Sequence, residues 1–242
     1  MAMVILFDNM QRYFVTIEDN QVLLDDLDVH HITHVMRMTK GDNLELVFDQ
    51  KLYLGVISSI NPLKVEIVKE LSTDVELDSV VTIIFALSKS DKNDFVIQKA
   101  TELGVKRIIF VPTKRSIVKM DKNDFDKKMT RYEKISKEAA EQCHRLVIPD
   151  ILYHSSIDKL PLSDINLVAY EEVAGNTTQS FDEINRNKSV SVFIGPEGGF
   201  DEQEIALLKD KGFTTISLGK RILRCETAAV YALSVISYLL EK

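Results

Sequence analysis

Five short apolar runs, Val80–Leu87, Arg107–Pro112, Asn166–Tyr170, Ser189–Ile194 and Thr214–Leu218, constrain this chain more than any other feature, because helix-like stretches lie between them. Runs this short and this continuous read as strands covered on both faces. Strands alternating with helices build a mostly parallel sheet with helices on either side, the α/β class. The helices carry readable punctuation. Asp94 is placed to cap a helix with Val96, Ile97, Ala100 and Leu103 on one side, stopping at Gly104. Lys127–Arg145 reads as one long amphipathic helix with Tyr132, Ile135, Ala139 and Cys143 along a stripe. Asp201 with Glu204 spells a capping box, and Phe200 with Ile205 a hydrophobic staple, for a helix ending at Gly212. A last helix is predicted from about Glu226 to Leu240.

The segment from about Gln11 to Val68 has another rhythm. Leu44–Phe48 and Leu52–Ile57 flank a polar hairpin tip at Asp49-Gln50-Lys51, Val65–Val68 alternates with period two, and Asn20 and Gly41-Asp42 mark turns. One helical stretch, about His30 to Met38, interrupts these strands. A small β-barrel is predicted, with a boundary in the polar stretch 71–79: residues 1–72 form the β-domain and 73–242 the α/β domain.

Two cysteines far apart, Cys143 and Cys225, exclude a disulfide scaffold or zinc ribbon, and His30, His31 and His34 lack acid or cysteine partners at ligand spacing, so no metal is expected. Val80–Leu87 is too short to cross a bilayer and the N-terminus lacks a basic signal-peptide region, which points to a soluble cytoplasmic protein without membrane partners. The formal net charge of −7 argues against gripping phosphates over the whole surface. Locally the balance reverses: residues 88–122 hold nine basic residues (Lys89, Lys92, Lys99, Lys106, Arg107, Lys114, Arg115, Lys119, Lys122) against four acids. On spacing alone this is a solvated face.

Ligands of open parallel sheets bind beyond the carboxyl ends of the strands. Two segments there are unusual. Gly195-Pro196-Glu197-Gly198-Gly199-Phe200 joins a strand to a capped helix through a side-chain-poor turn that lets backbone approach a flat ligand. It lacks both the dinucleotide glycine fingerprint and the lysine of a phosphate loop. Leu218-Gly219-Lys220-Arg221-Ile222-Leu223-Arg224-Cys225-Glu226-Thr227-Ala228 ends a strand, bends through basic residues and starts a helix with an acid and a hydroxyl. Read alone, Glu226 or Thr227 simply caps that helix.

Together, the two segments resemble the RsmE family, the 16S rRNA (uracil-N3) methyltransferases of the SPOUT superfamily. Gln11–Phe14, His30-His31-Ile32 and Val35–Met38 with Gly41-Asp42 look like that family's PUA-like RNA-binding domain, and Lys99–Val105 and Glu138–Cys143 with Arg145 and Pro149 match its middle. Residues 1–9 precede the family-like sequence and take no role. The resemblance implies a C-terminal trefoil knot, a rare exception to unknotted topology, S-adenosyl-L-methionine as cofactor, rRNA processing on 16S rRNA in the 30S subunit, and a homodimer. Its final helix would supply the dimer contact through Val230, Leu233, Ile236 and Leu240, or bury them in its own core.

On that resemblance, Gly195, Pro196, Glu197, Gly198 and Gly199 form one wall of the cofactor pocket. Leu218, Gly219, Ile222, Leu223 and Thr227 form the other, with Glu171 a further candidate. Uracil N3 must lose its proton before attacking a methyl carbon, so a cation beside the anionic base is required. Arg224 is assigned that role, with Glu226 positioning it or the cofactor. Arginine stays protonated at neutral pH, so the proton acceptor is another group. Arg12, Arg37, Lys89, Arg115, Gln142 and Arg145 are assigned to RNA, Gln142 and Arg145 on one helix face, and the target base is flipped into the site. Two other readings are a SPOUT enzyme acting on tRNA or a ribose hydroxyl, and a non-catalytic RNA-binding or ribosome-assembly protein.

Overall fold

The computed structural model describes residues 10–19, 21–170 and 181–242. The turn at Asn20 and the candidate Glu171 lie outside the described residues. The chain divides into two compact units.

The first unit holds the described residues up to Val75 together with Ala140–Val147. β1 (Arg12–Phe14) pairs parallel with β4 (Asn43–Phe48), which continues antiparallel into β5 (Lys51–Ile60) and β6 (Leu63–Leu71). The β4–β5 tip falls at Asp49-Gln50, both in the left-handed region at φ 48° and 58°, the geometry of the tight hairpin turn that matches strand twist. β2 (Thr16–Glu18) and β3 (Gln21–Leu23) pair only with each other, so among the described residues the ladder does not close into the predicted barrel. Tyr13, Ile32, Leu44, Leu46, Ile57 and Val65 form this unit's core. The predicted 30–38 helix begins earlier. Asp25 caps α1 (Asp26–His30) by accepting the Asp28 N–H at 2.8 Å, and a π-helical turn, His31–Val35, follows. Arg37 at φ 51° ends it.

The second unit, Glu76–Ala139 with Ile148–Lys242, holds the α/β sheet; it differs from the predicted span 73–242 in that residues 140–147 belong to the first unit. Six strands, β7 (Val81–Ala86), β8 (Arg107–Val111), β9 (Asp150–Tyr153), β10 (Ile165–Ala169), β11 (Val190–Ile194) and β12 (Thr214–Ile216), pair in the order β12-β10-β11-β7-β8-β9, every ladder parallel. All carboxyl ends therefore lie on one rim. β7 shows why its run is continuous: Ile83 and Phe85 join the core on one face, Ile84 and Ala86 the core on the other.

α2 (Ser90–Glu102) supplies Val96, Ile97 and Ala100 to the first core, beside Ala229, Ala232, Leu233 and Ile236 of α6 (Cys225–Glu241). α5 (Glu202–Asp210) supplies Ile205 and Leu208 to the second. Burying each large aliphatic side chain contributes about 1.5–3 kcal/mol. Two expectations are corrected and a third is decided between its alternatives. Asp94 is not a cap: α2 begins four residues earlier with Lys89 as N-cap, and Asp94 holds Arg131 at 2.8 Å. The 127–145 helix is shorter than predicted: α4 covers Met129–Gln142, after a separate short α3 (Lys122–Asp126), and His144 at φ 58° lies past its end, so Gln142 and Arg145 share no helix face. In α6, Leu233, Ile236 and Leu240 are at most 2% exposed and Val230 is partly buried, so of the two readings of that stripe the structure supports burial in the chain's own core. No described helix is long and apolar enough to cross a membrane.

Candidate active site

The loops leaving β7, β8, β11 and β12 all emerge on the carboxyl rim. After β11 the chain turns at Pro196, whose carbonyl accepts the Gly199 N–H at 2.9 Å, with Gly199 at φ 69°. A side chain at Gly198 would come within 3.2 Å of Arg115 Cβ and 3.3 Å of its carbonyl, so the β8 loop packs directly on this turn. Arg115 also donates to the Gly198 carbonyl at 3.3 Å. Phe200, buried edge-on against Phe193, and Ile205 anchor the turn from below, and the capping box forms as its spelling predicts.

The loop after β12 ends at Arg224, the extended N-cap residue of α6. Arg224 is exposed, and its guanidinium meets no ion-pair partner among the described residues. Two residues on, Glu226 turns inward. Lys92, in the first turn of α2, places Nζ 2.9 Å from Glu197 and 3.2 Å from Glu226, and donates to Cys225 Sγ at 3.6 Å. Ser88 donates to Glu197 at 3.5 Å, and the Cys225 thiol to Glu226 at 3.2 Å. The carboxylates of the two unusual segments thus meet on one ammonium.

This cluster's charge state follows from its contacts. Burial disfavours the Lys92 charge, but the hydrogen bonds to Glu197 and Glu226 outweigh it and raise its pKa. Burial likewise opposes ionisation of Glu197, yet the Lys92 hydrogen bond holds its carboxyl below the ordinary 4.5. Glu226 is held below 4.5 against the same burial by a backbone hydrogen bond, the Cys225 thiol and Lys92. Burial and the Glu226 contact push the Cys225 thiol up, so it stays protonated. The cluster therefore carries two negative charges and one positive.

A net negative cluster beside glycine turns fits a cationic, phosphate-free ligand such as S-adenosylmethionine. The Gln203 N–H in the first turn of α5 is already taken by Asp201, which leaves that helix end less to offer a phosphate. Built side chains at Gly199 and Gly219 meet nothing within 4 Å, which leaves room above both turns. Leu218 and Leu223 are half-buried against the core, whereas Ile222 is 81% exposed. Thr227 is exposed in the first turn of α6.

Among the residues assigned to RNA, Lys89 and Arg115 are exposed on the second unit, and Arg37 and Gln142 on the first. Arg12 and Arg145, at 5% and 3% exposure, are corrected. Arg12 forms a buried ion pair with Glu45 at 2.8 Å and donates to the carbonyls of His144 and Arg145, holding the first unit together. Lys92, Ser88 and Cys225 went unassigned in the sequence. The one signal for Lys92 was its place in the first helical turn after a buried strand.

The family model of an RNA methyltransferase domain matches residues 75–237, and that of an RNA methyltransferase PUA domain residues 24–70. The chain is 35% identical to a ribosomal RNA small subunit methyltransferase E of Bacillus subtilis, over 96% of this chain and 98% of that protein. Among solved structures, a ribosomal RNA small subunit methyltransferase E from Neisseria gonorrhoeae bound to S-adenosyl methionine is 30% identical, covering 96% of this chain and 98% of that one with a TM-score of 0.84. A methyltransferase from Legionella pneumophila in complex with SAM is 31% identical, covering 95% of this chain and 98% of that one, also at a TM-score of 0.84. A domain match across most of the chain, and identity above 30% over nearly its full length, place this chain in the RNA methyltransferase family.

Proposed function

We propose that this chain transfers the methyl group of S-adenosylmethionine to N3 of a uridine in 16S ribosomal RNA, in the cytoplasm, as a homodimer acting on the 30S subunit. The reading is carried by the convergence of Glu197 and Glu226, from the two family-like segments, on Lys92 at the sheet's carboxyl rim. It is supported by the near full-length kinship to a ribosomal RNA small subunit methyltransferase E. The SPOUT-type trefoil knot belongs to the same reading. So does the assignment of residues 195–199, Leu218, Gly219, Ile222, Leu223 and Thr227 to the cofactor.

When bound, S-adenosylmethionine supplies an electrophilic methyl carbon on a cationic sulfur. The residues of this chain prepare the acceptor. Arg224, an exposed guanidinium, stabilises the uracil anion left when N3 gives up its proton to another group. Glu226, tied to Lys92, fixes the first turn of α6 behind it. Lys89 and Arg115 on the second unit meet the RNA backbone beside the flipped base, and Arg37 and Gln142 on the first unit are further contacts to the RNA. The homodimer uses the exposed stripe of α6, where Tyr231 and Tyr238 are 44% and 62% exposed.

The test is incubation of the purified chain with labelled cofactor on naked 16S rRNA and on 30S particles, with mass spectrometry of the RNA fragments. The reading requires a base-methylated uridine in 16S rRNA. Label on tRNA or on a ribose hydroxyl overturns the substrate. Intact RNA binding without calorimetric binding of the cofactor leaves a non-catalytic RNA-binding protein.

A further inference from the structure

Lys92 spends all its hydrogen-bonding capacity in one place. An ammonium has three donors, and the three acceptors around Nζ are Glu197 at 2.9 Å, Glu226 at 3.2 Å and Cys225 Sγ at 3.6 Å. These acceptors come from two separate rim segments, the turn after β11 and the first turn of α6. The side chains of Lys92, Glu197 and Glu226 are 19%, 23% and 19% exposed, unlike the solvated surface pairs that contribute almost nothing.

The lysine is itself rigidly mounted. Ser88 lies just before the Lys89 N-cap of its helix, and Ser88 and the fully buried Asn93 exchange two hydrogen bonds, Ser88 N–H to Asn93 Oδ1 at 3.2 Å and Asn93 Nδ2 to the Ser88 carbonyl at 3.1 Å. Ser88 directly follows the central strand region, where Leu87 is fully buried. The ammonium therefore refers both rim loops to the middle of the sheet. Without it, two half-buried carboxylates would face each other uncompensated, and like charges at short range separate or take up a proton.

We propose that Lys92 is a positioning residue for methyl transfer: by bridging Glu197 and Glu226 it sets the spacing of the two loops that form the cofactor pocket. The proposal rests on the function proposed above. Lys92 touches neither substrate nor reacting atoms, and it acts through the loops that carry Glu197, Arg224 and Glu226.

The test uses the full chain and the variants Lys92→Met, which keeps the stem, and Lys92→Arg, which keeps the cation. In cofactor-free protein, hydrogen exchange of residues 195–200 and 217–226 rises in Lys92→Met at least about tenfold more than that of the amides of β7 and β11. Calorimetry gives a dissociation constant for S-adenosylmethionine weaker by at least about tenfold, and Lys92→Arg stays within about threefold of the parent on both readouts. Unchanged loop exchange, or an unchanged dissociation constant, overturns the proposal. A rise in the sheet as large as that in the loops overturns it too, since Lys92 is then a residue of global stability only. Failure of the parent chain to bind S-adenosylmethionine is a separate result, and it removes the proposed function itself.

Discussion

Glu204 accepts the backbone N–H of Lys114 at 2.8 Å through one carboxylate oxygen and closes the capping box on the Asp201 N–H at 2.9 Å through the other. A single buried carboxylate thus secures both the start of α5 and the loop leaving β8, the two segments that meet at Gly198 and Arg115. Removing it withdraws a helix cap, at about 1 kcal/mol, and strands a poorly hydrated amide at about 1–3 kcal/mol. Glu204→Ala should therefore destabilise the chain by roughly 2–4 kcal/mol in chemical denaturation, and Glu204→Gln by about half of that. A loss below about 0.5 kcal/mol for the alanine variant would show that solvent replaces both bonds.

Arg224 offers a cleaner separation of binding from chemistry. It stands exposed at the N-cap of α6 without an ion-pair partner among the described residues, so its removal costs the folded state little. If it stabilises the anionic base, Arg224→Ala keeps cofactor affinity within about threefold and lowers turnover at least ~100-fold, the usual effect of losing a transition-state electrostatic group. Turnover unchanged in a single-turnover assay takes Arg224 out of the mechanism.

The Lys92 cluster has a pH signature of determinate sign. Glu197 and Glu226 are held below 4.5, so the stability they contribute is present above that pH and is lost as pH falls through their folded values. Lys92 is raised above 10.5, so its contribution is present below that pH and is lost only as pH climbs through its higher folded value. The stability difference between the parent and Lys92→Met should therefore be flat from about pH 5.5 to 9.5, at roughly 1–2 kcal/mol, and shrink below about pH 4.5. Comparing the two proteins cancels groups that titrate alike in both. A difference that grows towards acid in paired denaturation curves contradicts the assigned charges.

What the sequence made legible was whatever is encoded locally. The apolar runs of β7, β8 and β11, the Asp201–Glu204 box and the stop at Gly104 depend on residues within a few positions of one another, and each appears where its pattern predicts. β9 is four residues at the sheet's edge with one buried side chain, too short to show a period. Asp94 carries the residue type of a cap but spends its carboxylate on Arg131, a partner only the fold brings near. Lys92 illustrates the larger limit, since a lysine with two distant glutamates has no local spelling. The α6 stripe shows a related limit. Apolar spacing identifies the face of a helix that is buried without saying by what, and here the chain's own sheet buries it.

Arg12 and Arg37 separate two uses of arginine that the sequence cannot tell apart. The Arg12 side chain is 3% exposed against a Glu45 side chain at 7%, and it also binds the His144 and Arg145 carbonyls. Removing one partner of a buried pair leaves the other charge uncompensated, so Arg12→Met should cost about 3–5 kcal/mol in denaturation of the N-terminal unit. At a temperature where the variant is still folded, its RNA affinity should match the parent's. Arg37 is exposed, and its contribution is a charge presented to phosphate. Arg37→Ala should leave stability within about 0.5 kcal/mol, weaken RNA binding, and reduce the slope of log affinity against log salt by about one. The reverse pattern, a stable Arg12→Met with a reduced salt slope, would restore Arg12 as an RNA contact and require its ion pair with Glu45 to open on binding.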